Sequence, residues 1–475
     1  MNSQIVRVFA VIIVLFALLI IWTTRWTVID ASALNTNPLN SRTLIAQLRV
    51  QRGRILATNG AVLARSVPHG GGTWGRTYPY GSLFAQPVGY ANVAEGQAAA
   101  LERSYSTELR GLQTGLSSVF GPLGGTRQIG DDVYTALDPK AQAVAKQELA
   151  GRPGSVVALN PQNGAVLAMY SDPSYDDNHP QAPCNDSCQV NRATQGRYPP
   201  GSTFKVVTAS AAIDSGKYTP NSVVDGKSPV MISGVPLSND NNQAFGPIDL
   251  TTALTYSVNT VWAQVAESLG TGTMTKYMKR FGFYAKPPID LPRDETHASY
   301  PVSATGHPYA PGSPNEDIGR IAIGQGGLEV TPLQMAMVAS AVADGGRLMK
   351  PHLATRAVDK DGRTVKTISP TVYHQVMKRS TAAAVAEMMR KVVDEGTGTS
   401  AQLGSGITFA GKTGTASVGI AGANQTQPWF IGFAPIDNPK VAIAVTIERT
   451  DGGFGGTVAA PIAKAVVQTL LADGK

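Results

Sequence analysis

Apolar positions along the chain fall into three patterns. The first is continuous: no charge interrupts Val8 to Thr24, and Arg7 and Arg25 flank the run. At about 1.5 Å per residue it reaches about 25 Å as a helix, near the lower limit for a membrane span. Ile5, Val6 and Trp26 extend it, with both arginines snorkelling to the interfaces. This predicts an uncleaved anchor. The competing reading is a cleaved signal peptide, because Ala31-Ser32-Ala33 has the A-x-A form, but the run exceeds a typical signal core. Lys and Arg tie at the two flanks, so the positive-inside rule leaves orientation open. The short leading tail favours the N-terminus inside, with the rest of the chain outside the cytoplasm.

The second pattern is short apolar runs broken by turns, from residue 26 to about 150. Arg52-Gly53-Arg54-Ile55 and Ala61-Val62-Leu63-Ala64 flank Asn59-Gly60, a strong hairpin signal. His69 to Gly75 is Gly-rich and predicts a loop. Val133 to Leu137 predicts a strand, and Asp138-Pro139 opens a helix through Leu149, with Pro in the first turn.

The third pattern begins near Gly151-Arg152-Pro153-Gly154. Ser155–Leu159 and Ala165–Tyr170 predict a hairpin around Asn160-Pro161-Gln162-Asn163-Gly164. Helical periodicity follows around 203–215, 250–268, 332–344, 381–394 and 457–472. Strand-like runs recur at Thr408–Ala410, Trp429–Ala434 and Val441–Glu448. An early hairpin, central helices and late strands predict an α+β domain: one sheet closed by both ends of the segment, with helices on its faces. The segments are 1–25, 26–150 and 151–475, with no internal repeat and no second hydrophobic span.

Composition narrows the function. The chain has 475 residues, 43% hydrophobic and 15% charged, which excludes a disordered solvating chain. Net charge is +7, but the basic residues form no run interleaved with aromatics, so no nucleic-acid partner is expected. Such a balance in an exported protein favours anionic lipid or wall polymers. The two cysteines, Cys184 and Cys188, could form a local disulfide in an oxidising compartment; the alternative is free thiols. Four ligands for a closed zinc site are not apparent, so no metal is expected.

The candidate chemistry lies in three short stretches. In Gly201-Ser202-Thr203-Phe204-Lys205, a helix starting at Ser202 would put Ser202 and Lys205 on one face. A serine hydroxyl needs a base, and a desolvated lysine near another cation can lose its proton and serve. Alone, that spacing is common and weak, and its plain reading is an ordinary N-cap serine with an exposed lysine. Ser257-Val258-Asn259 sits within the apolar helical stretch Leu250–Leu269, where Ser and Asn are poor choices unless they act as partners. Lys412-Thr413-Gly414-Thr415 ends a strand-like run, and its glycine permits close backbone approach by a ligand. Gly406 to Thr413 also fits the P-loop pattern, with Glu448 as a possible second acidic element. That context fails, because the apolar run lies inside the motif and Gly414 follows Thr413.

S-x-x-K, S-x-N and K-T-G in this order resemble the penicillin-binding proteins and class A β-lactamases, with Val258 departing from the S-D-N of the latter. Arg52-Gly53 to Ala64, Arg76 to Gly89, and Leu101-Glu102 to Gly111 resemble the N-terminal module of class B penicillin-binding proteins. Val156–Asn178, Ile323–Ala336 and Trp429–Pro435 resemble their transpeptidase domain. The chain is similar to the penicillin-binding protein A type, without tail modules.

That resemblance implies a serine transpeptidase/β-lactamase-like domain on an elongated pedestal, with one transmembrane helix. It implies D,D-transpeptidation of peptidoglycan stem peptides ending in D-Ala-D-Ala, inhibition by β-lactams, and no cofactor. Ser202 would be the nucleophile, Lys205 its base, Ser257 a proton relay assisted by Lys412, and Asn259 a holder of substrate backbone and of Lys205. Thr413, Gly414 and Thr415 would bind the terminal carboxylate, and the Ser202 and Thr415 N–H groups would form the oxyanion hole. It also implies a membrane glycosyltransferase partner of the shape-elongation-division-sporulation family. A D,D-carboxypeptidase or β-lactamase on the same fold, or a noncatalytic wall scaffold, are the rival readings.

Overall fold

The computed structural model describes residues 2–30, 41–112, 128–184, 187–404, 406–417, 425–472 and 474. The Ala31-Ser32-Ala33 motif lies outside them.

The uncharged run forms a helix over Asn2–Thr24, continued by a wider turn over Arg25–Ile29. Ser3–Ile29 is fully exposed and long and apolar enough to cross a membrane, and it fits a membrane anchor. Gly455–Ala472 also meets that length and apolarity measure, but 44% of it is buried, so it is a core helix.

The N-terminal region is built on a six-stranded sheet ordered Thr364–Thr367, Ala354–Val358, Asp132–Thr135, Ile55–Leu56, Val62–Gly70 and Thr73–Thr77. Asn59-Gly60 does turn a hairpin, with Ile55 opposite Ala64. The Gly-rich stretch is a second hairpin rather than a loop: Val62–Gly70 pairs with Thr73–Thr77, leaving Gly71 and Gly72 at its tip. Both have positive φ, a backbone state that glycine adopts without penalty. Two strands of this sheet come from residues 354–367, far along the chain.

The second sheet is antiparallel, ordered Ala410–Ser417, Gln425–Ala434, Val441–Ile447, Gly154–Leu159 and Val166–Asp172, so the early hairpin pairs with a late strand. Alternation decides what each face meets. Val157, Leu159, Ile431, Phe433, Ala442 and Ala444 join one buried cluster, which includes the helix Pro332–Ala343. Val156, Ala158, Phe430, Val441, Ile443 and Val445 join the other, against the helices Pro139–Leu149 and Ala460–Ala472. Asp138 caps the first of these helices, its carboxylate accepting the Lys140 and Ala141 N–H groups. Helices therefore cover both faces, and Ala410–Ser417 is left as an edge strand.

Candidate active site

Three elements deliver the three motifs to one place. Ser202 lies in a 3-10 turn, Gly201–Phe204, that leads into the helix Lys205–Asp214. Three residues per turn stack Ser202 and Lys205 on one face. Ser257 does not lie within a helix. The predicted helix breaks into Leu250–Thr255 and Asn259–Leu269, and Ser257 sits at the break with φ of 61°. The left-handed conformation stops the first helix and re-aims the chain, and Asn259 then opens the second. Lys412-Thr413-Gly414-Thr415 lies inside the edge strand rather than at the end of a run, with Thr413 opposite Phe430. The strand runs on through Ser417 instead of opening a helix at Lys412-Thr413, which removes the P-loop geometry. Glu448 instead accepts from Arg192 Nε at 2.8 Å and from the Tyr198 hydroxyl.

The side chains converge on Lys205, which is fully buried. Its Nζ lies 2.9 Å from Ser202 Oγ, 2.6 Å from Ser257 O, 2.6 Å from Asn259 Oδ1 and 3.2 Å from Ser257 Oγ. The carbonyl and amide oxygens can only accept. A neutral amine has two N–H groups, which satisfy those two short contacts, and one lone pair. The hydroxyl of Ser202 can donate to that lone pair. Burial drives the Lys205 ammonium well below its ordinary value, the nearby charge of Lys412 lowers it further, and Asp240 partly offsets both. The geometry and the electrostatics both favour an unprotonated amine beside Ser202.

Lys412 is also fully buried, and desolvation lowers it to about 7 against the opposing pull of Asp240. Its Nζ lies 3.0 Å from Ser257 Oγ, so this hydroxyl stands between two lysine nitrogens. Thr413 Oγ1 is 2.6 Å from Thr397 Oγ1, and Thr415 Oγ1 accepts the Gly455 N–H at 3.1 Å.

Close backbone packing fixes these positions. Gly201 has φ of 53°, and a Cβ there would meet the Thr415 backbone at 2.9–3.1 Å. A Cβ on Gly414 would lie 2.7 Å from Pro200 O. The Ser202 turn and the edge strand therefore touch through glycine on each side.

Four participants were not singled out from sequence: Asn239, Asp240, Thr397 and Gly455. Asn259 Nδ2 donates to Asp240 Oδ1 at 3.3 Å, and Asn239 Oδ1 accepts the Thr260 N–H at 2.9 Å. The Asx-rich run Ser238-Asn239-Asp240-Asn241-Asn242 was the available signal, but it reads equally as a turn.

Cys184 and Cys188 are joined as a disulfide. The contacts of Cys188 lie with Ala85 and Tyr175, and its carbonyl accepts from Gln86 Nε2 at 3.0 Å. These contacts place the bridge against the N-terminal region. Among the described residues, no group of three or more His, Cys, Asp or Glu converges as a metal site.

A serine whose hydroxyl faces a buried amine, beside an open strand edge, defines a serine acyl-transfer site. The chain matches the penicillin binding protein transpeptidase domain over residues 154–468 and the penicillin binding protein A dimerisation domain over 52–133. It belongs to the penicillin-binding protein transpeptidase family. It is 33% identical to the peptidoglycan D,D-transpeptidase PbpA of Mycolicibacterium smegmatis, with 100% of both chains covered. Against PbpA of Mycobacterium tuberculosis it is 31% identical over 99% of each chain. The structure superimposes on penicillin-binding protein A from M. tuberculosis, solved as a ceftriaxone acyl-enzyme, with a TM-score of 0.79 and 28% identity, covering 90% of this chain and 100% of that one. A D,D-transpeptidase domain from Eggerthella lenta gives a TM-score of 0.77 at 32% identity, covering 90% and 99%.

Proposed function

We propose that the protein cross-links peptidoglycan by D,D-transpeptidation, with Ser202 as the nucleophile and Lys205 as its base. The observation that carries this reading is the 2.9 Å approach of Lys205 Nζ to Ser202 Oγ, with the other short contacts of that nitrogen taken by obligate acceptors. Ser202 Oγ bonds to the carbonyl carbon of the penultimate D-Ala as Lys205 takes the hydroxyl proton. The developing oxyanion is held by the Ser202 and Thr415 N–H groups. The C–N bond to the terminal D-Ala then breaks. Its nitrogen receives a proton relayed from Lys205 through Ser257, a path Lys412 assists. An amine of a neighbouring stem attacks the ester, forms the cross-link and regenerates Ser202.

Asn259 orients Lys205 and the donor backbone. Thr413, Gly414 and Thr415 hold the substrate carboxylate, with Lys412 supplying positive potential. A β-lactam acylates Ser202 through the same steps and occupies the site. The protein is a membrane-anchored enzyme with a cytoplasmic N-terminus and its catalytic part outside, in contact with membrane lipid. Most of residues 26–150, completed by the strands within 354–367, serve as the pedestal, and 151–475 with the helix Pro139–Leu149 serve as the transpeptidase domain. Its proposed partner is a membrane glycosyltransferase of the shape-elongation-division-sporulation family.

Ser202→Ala should abolish covalent labelling by a fluorescent penicillin while circular dichroism stays native. Peptide mapping by mass spectrometry should place the wild-type adduct on Ser202. A folded variant that still labels, or an adduct elsewhere, overturns the assignment.

A further inference from the structure

The loop after the strand Val235–Leu237 reaches the lysine pocket at Asn259. Asn239 anchors it. Its N–H donates to Ser228 Oγ, its Nδ2 donates to Gly226 O and Gln243 O, and its Oδ1 accepts the Thr260 N–H. This clamp ties the loop to the first turn of the helix that carries Asn259. It leaves the next side chain, Asp240, with its Oδ1 3.3 Å from Asn259 Nδ2. The other end of that amide, Oδ1, faces Lys205 Nζ at 2.6 Å. An amide has one accepting end and one donating end. An ionised Asp240 can only accept, so together with Ser238 O, 3.5 Å from the same nitrogen, it holds the donating end and turns the accepting end to Lys205.

We propose that Asp240 is a positioning residue, whose carboxylate locks the Asn259 amide toward Lys205 and supplies the negative charge against which the two buried lysines divide their protons. This rests on the reading of Lys205 as the base. The charges facing Lys205 are Lys412, from the edge strand, and Asp240, from this loop. Lys412 faces the same carboxylate. The break between the helices Leu250–Thr255 and Asn259–Leu269 brings Ser257, and the second helix brings Asn259, neither of which titrates in this range. Burial lowers both lysines, and Asp240 opposes the fall in each case. Without that charge, two cationic groups in a dry pocket would both release protons more readily. Lys205 would stay a free amine, but Lys412 would lose the charge that assists Ser257 and the substrate carboxylate.

The test compares full-length wild type, D240N and D240E in detergent. The second-order rate of acylation by a fluorescent penicillin is followed from about pH 5 to about pH 10. Asn at 240 keeps an acceptor for Asn259 Nδ2 but loses the charge, and the site is exposed, so the fold is retained. Both limbs of the D240N profile should move to lower pH by about one unit, as joint titrations of the lysine pair. D240E should restore them toward wild type. Limbs of D240N that coincide with wild type, at whatever amplitude, overturn the proposal. So does a D240E shift as large as that of D240N. The wild-type adduct on Ser202 is checked separately, so its absence would refute the nucleophile assignment rather than the role of Asp240.

Discussion

Burying a lysine costs the hydration of its ammonium, and this pocket buries two. That cost favours the free amine at Lys205, which the proposed chemistry needs in a base. It also ties stability to pH. Desolvation lowers folded Lys412 to about 7, while its ordinary value is 10.5. Between those values the unfolded chain holds the proton that the folded pocket has released. More protons on the unfolded state means that stability rises with pH, here from about 7 to about 10. The gain is fully present above the unfolded value and lost as pH falls through the folded one. Lys412→Met should therefore raise the melting temperature at neutral pH and show a smaller rise between about pH 7 and about pH 10. Its penicillin acylation should fall at the same time. Melting curves of both proteins across that range test this, and equal slopes would contradict it. At this scale the motif residues were legible, because Ser202–Lys205, Ser257–Asn259 and Lys412–Thr415 are each local in sequence. Asp240 and Thr397 were not. They act across the fold, through contacts that no spacing encodes.

The break at Ser257 carries the element-scale argument. Apolar periodicity over 250–268 reads as one helix, and it is one in all but the middle. There a non-glycine residue adopts φ of 61°, which typically costs about 1–3 kcal/mol and persists only where packing enforces it. Val258 N–H bonds to Ala253 O, and Asn239 caps the second helix, so the surroundings supply that enforcement. Ser257→Gly relieves the backbone and removes the hydroxyl, whereas Ser257→Ala removes only the hydroxyl. The glycine variant should exceed the alanine variant in stability by about 1 kcal/mol, and both should acylate far more slowly than wild type. Urea unfolding and labelling rates separate the two effects, and an alanine variant at least as stable as the glycine variant would refute the strain. The same logic marks what sequence could give of the fold. Ser155–Leu159, Val441–Glu448 and Pro332–Ala343 were readable because each is a near-continuous apolar run, and the structure buries these runs on every side. The KTGT strand was not readable over its full length, since its polar residues face a reaction site instead of a core.

At the scale of the molecule, two regions share strands and hydrogen bonds. The strands Ala354–Val358 and Thr364–Thr367 leave the catalytic part of the chain to complete the N-terminal sheet. Asp290 accepts the N–H groups of Leu353 and Ala354 and the Tyr105 hydroxyl, binding the returning chain to the N-terminal region. Within that region Glu102 is fully buried, 2.7 Å from Arg52 and 2.6 Å from Arg76. Burial alone would raise its carboxyl, but Arg76 and Arg52 outweigh burial and hold it below its ordinary value. Removing it strands two buried guanidinium groups, at a cost of about 3–5 kcal/mol. Because strands and the Asp290 hydrogen bonds cross between the regions, that loss should not stay local. Glu102→Ala should lower a single melting transition seen alike by calorimetry and by loss of penicillin labelling. The acylation rate of the folded fraction should remain near wild type, since Glu102 lies outside the Ser202 network. Two separate transitions, with labelling following the upper one unchanged, would show that the regions fold independently. A single shifted transition makes the N-terminal region part of what holds the nucleophile turn against the edge strand.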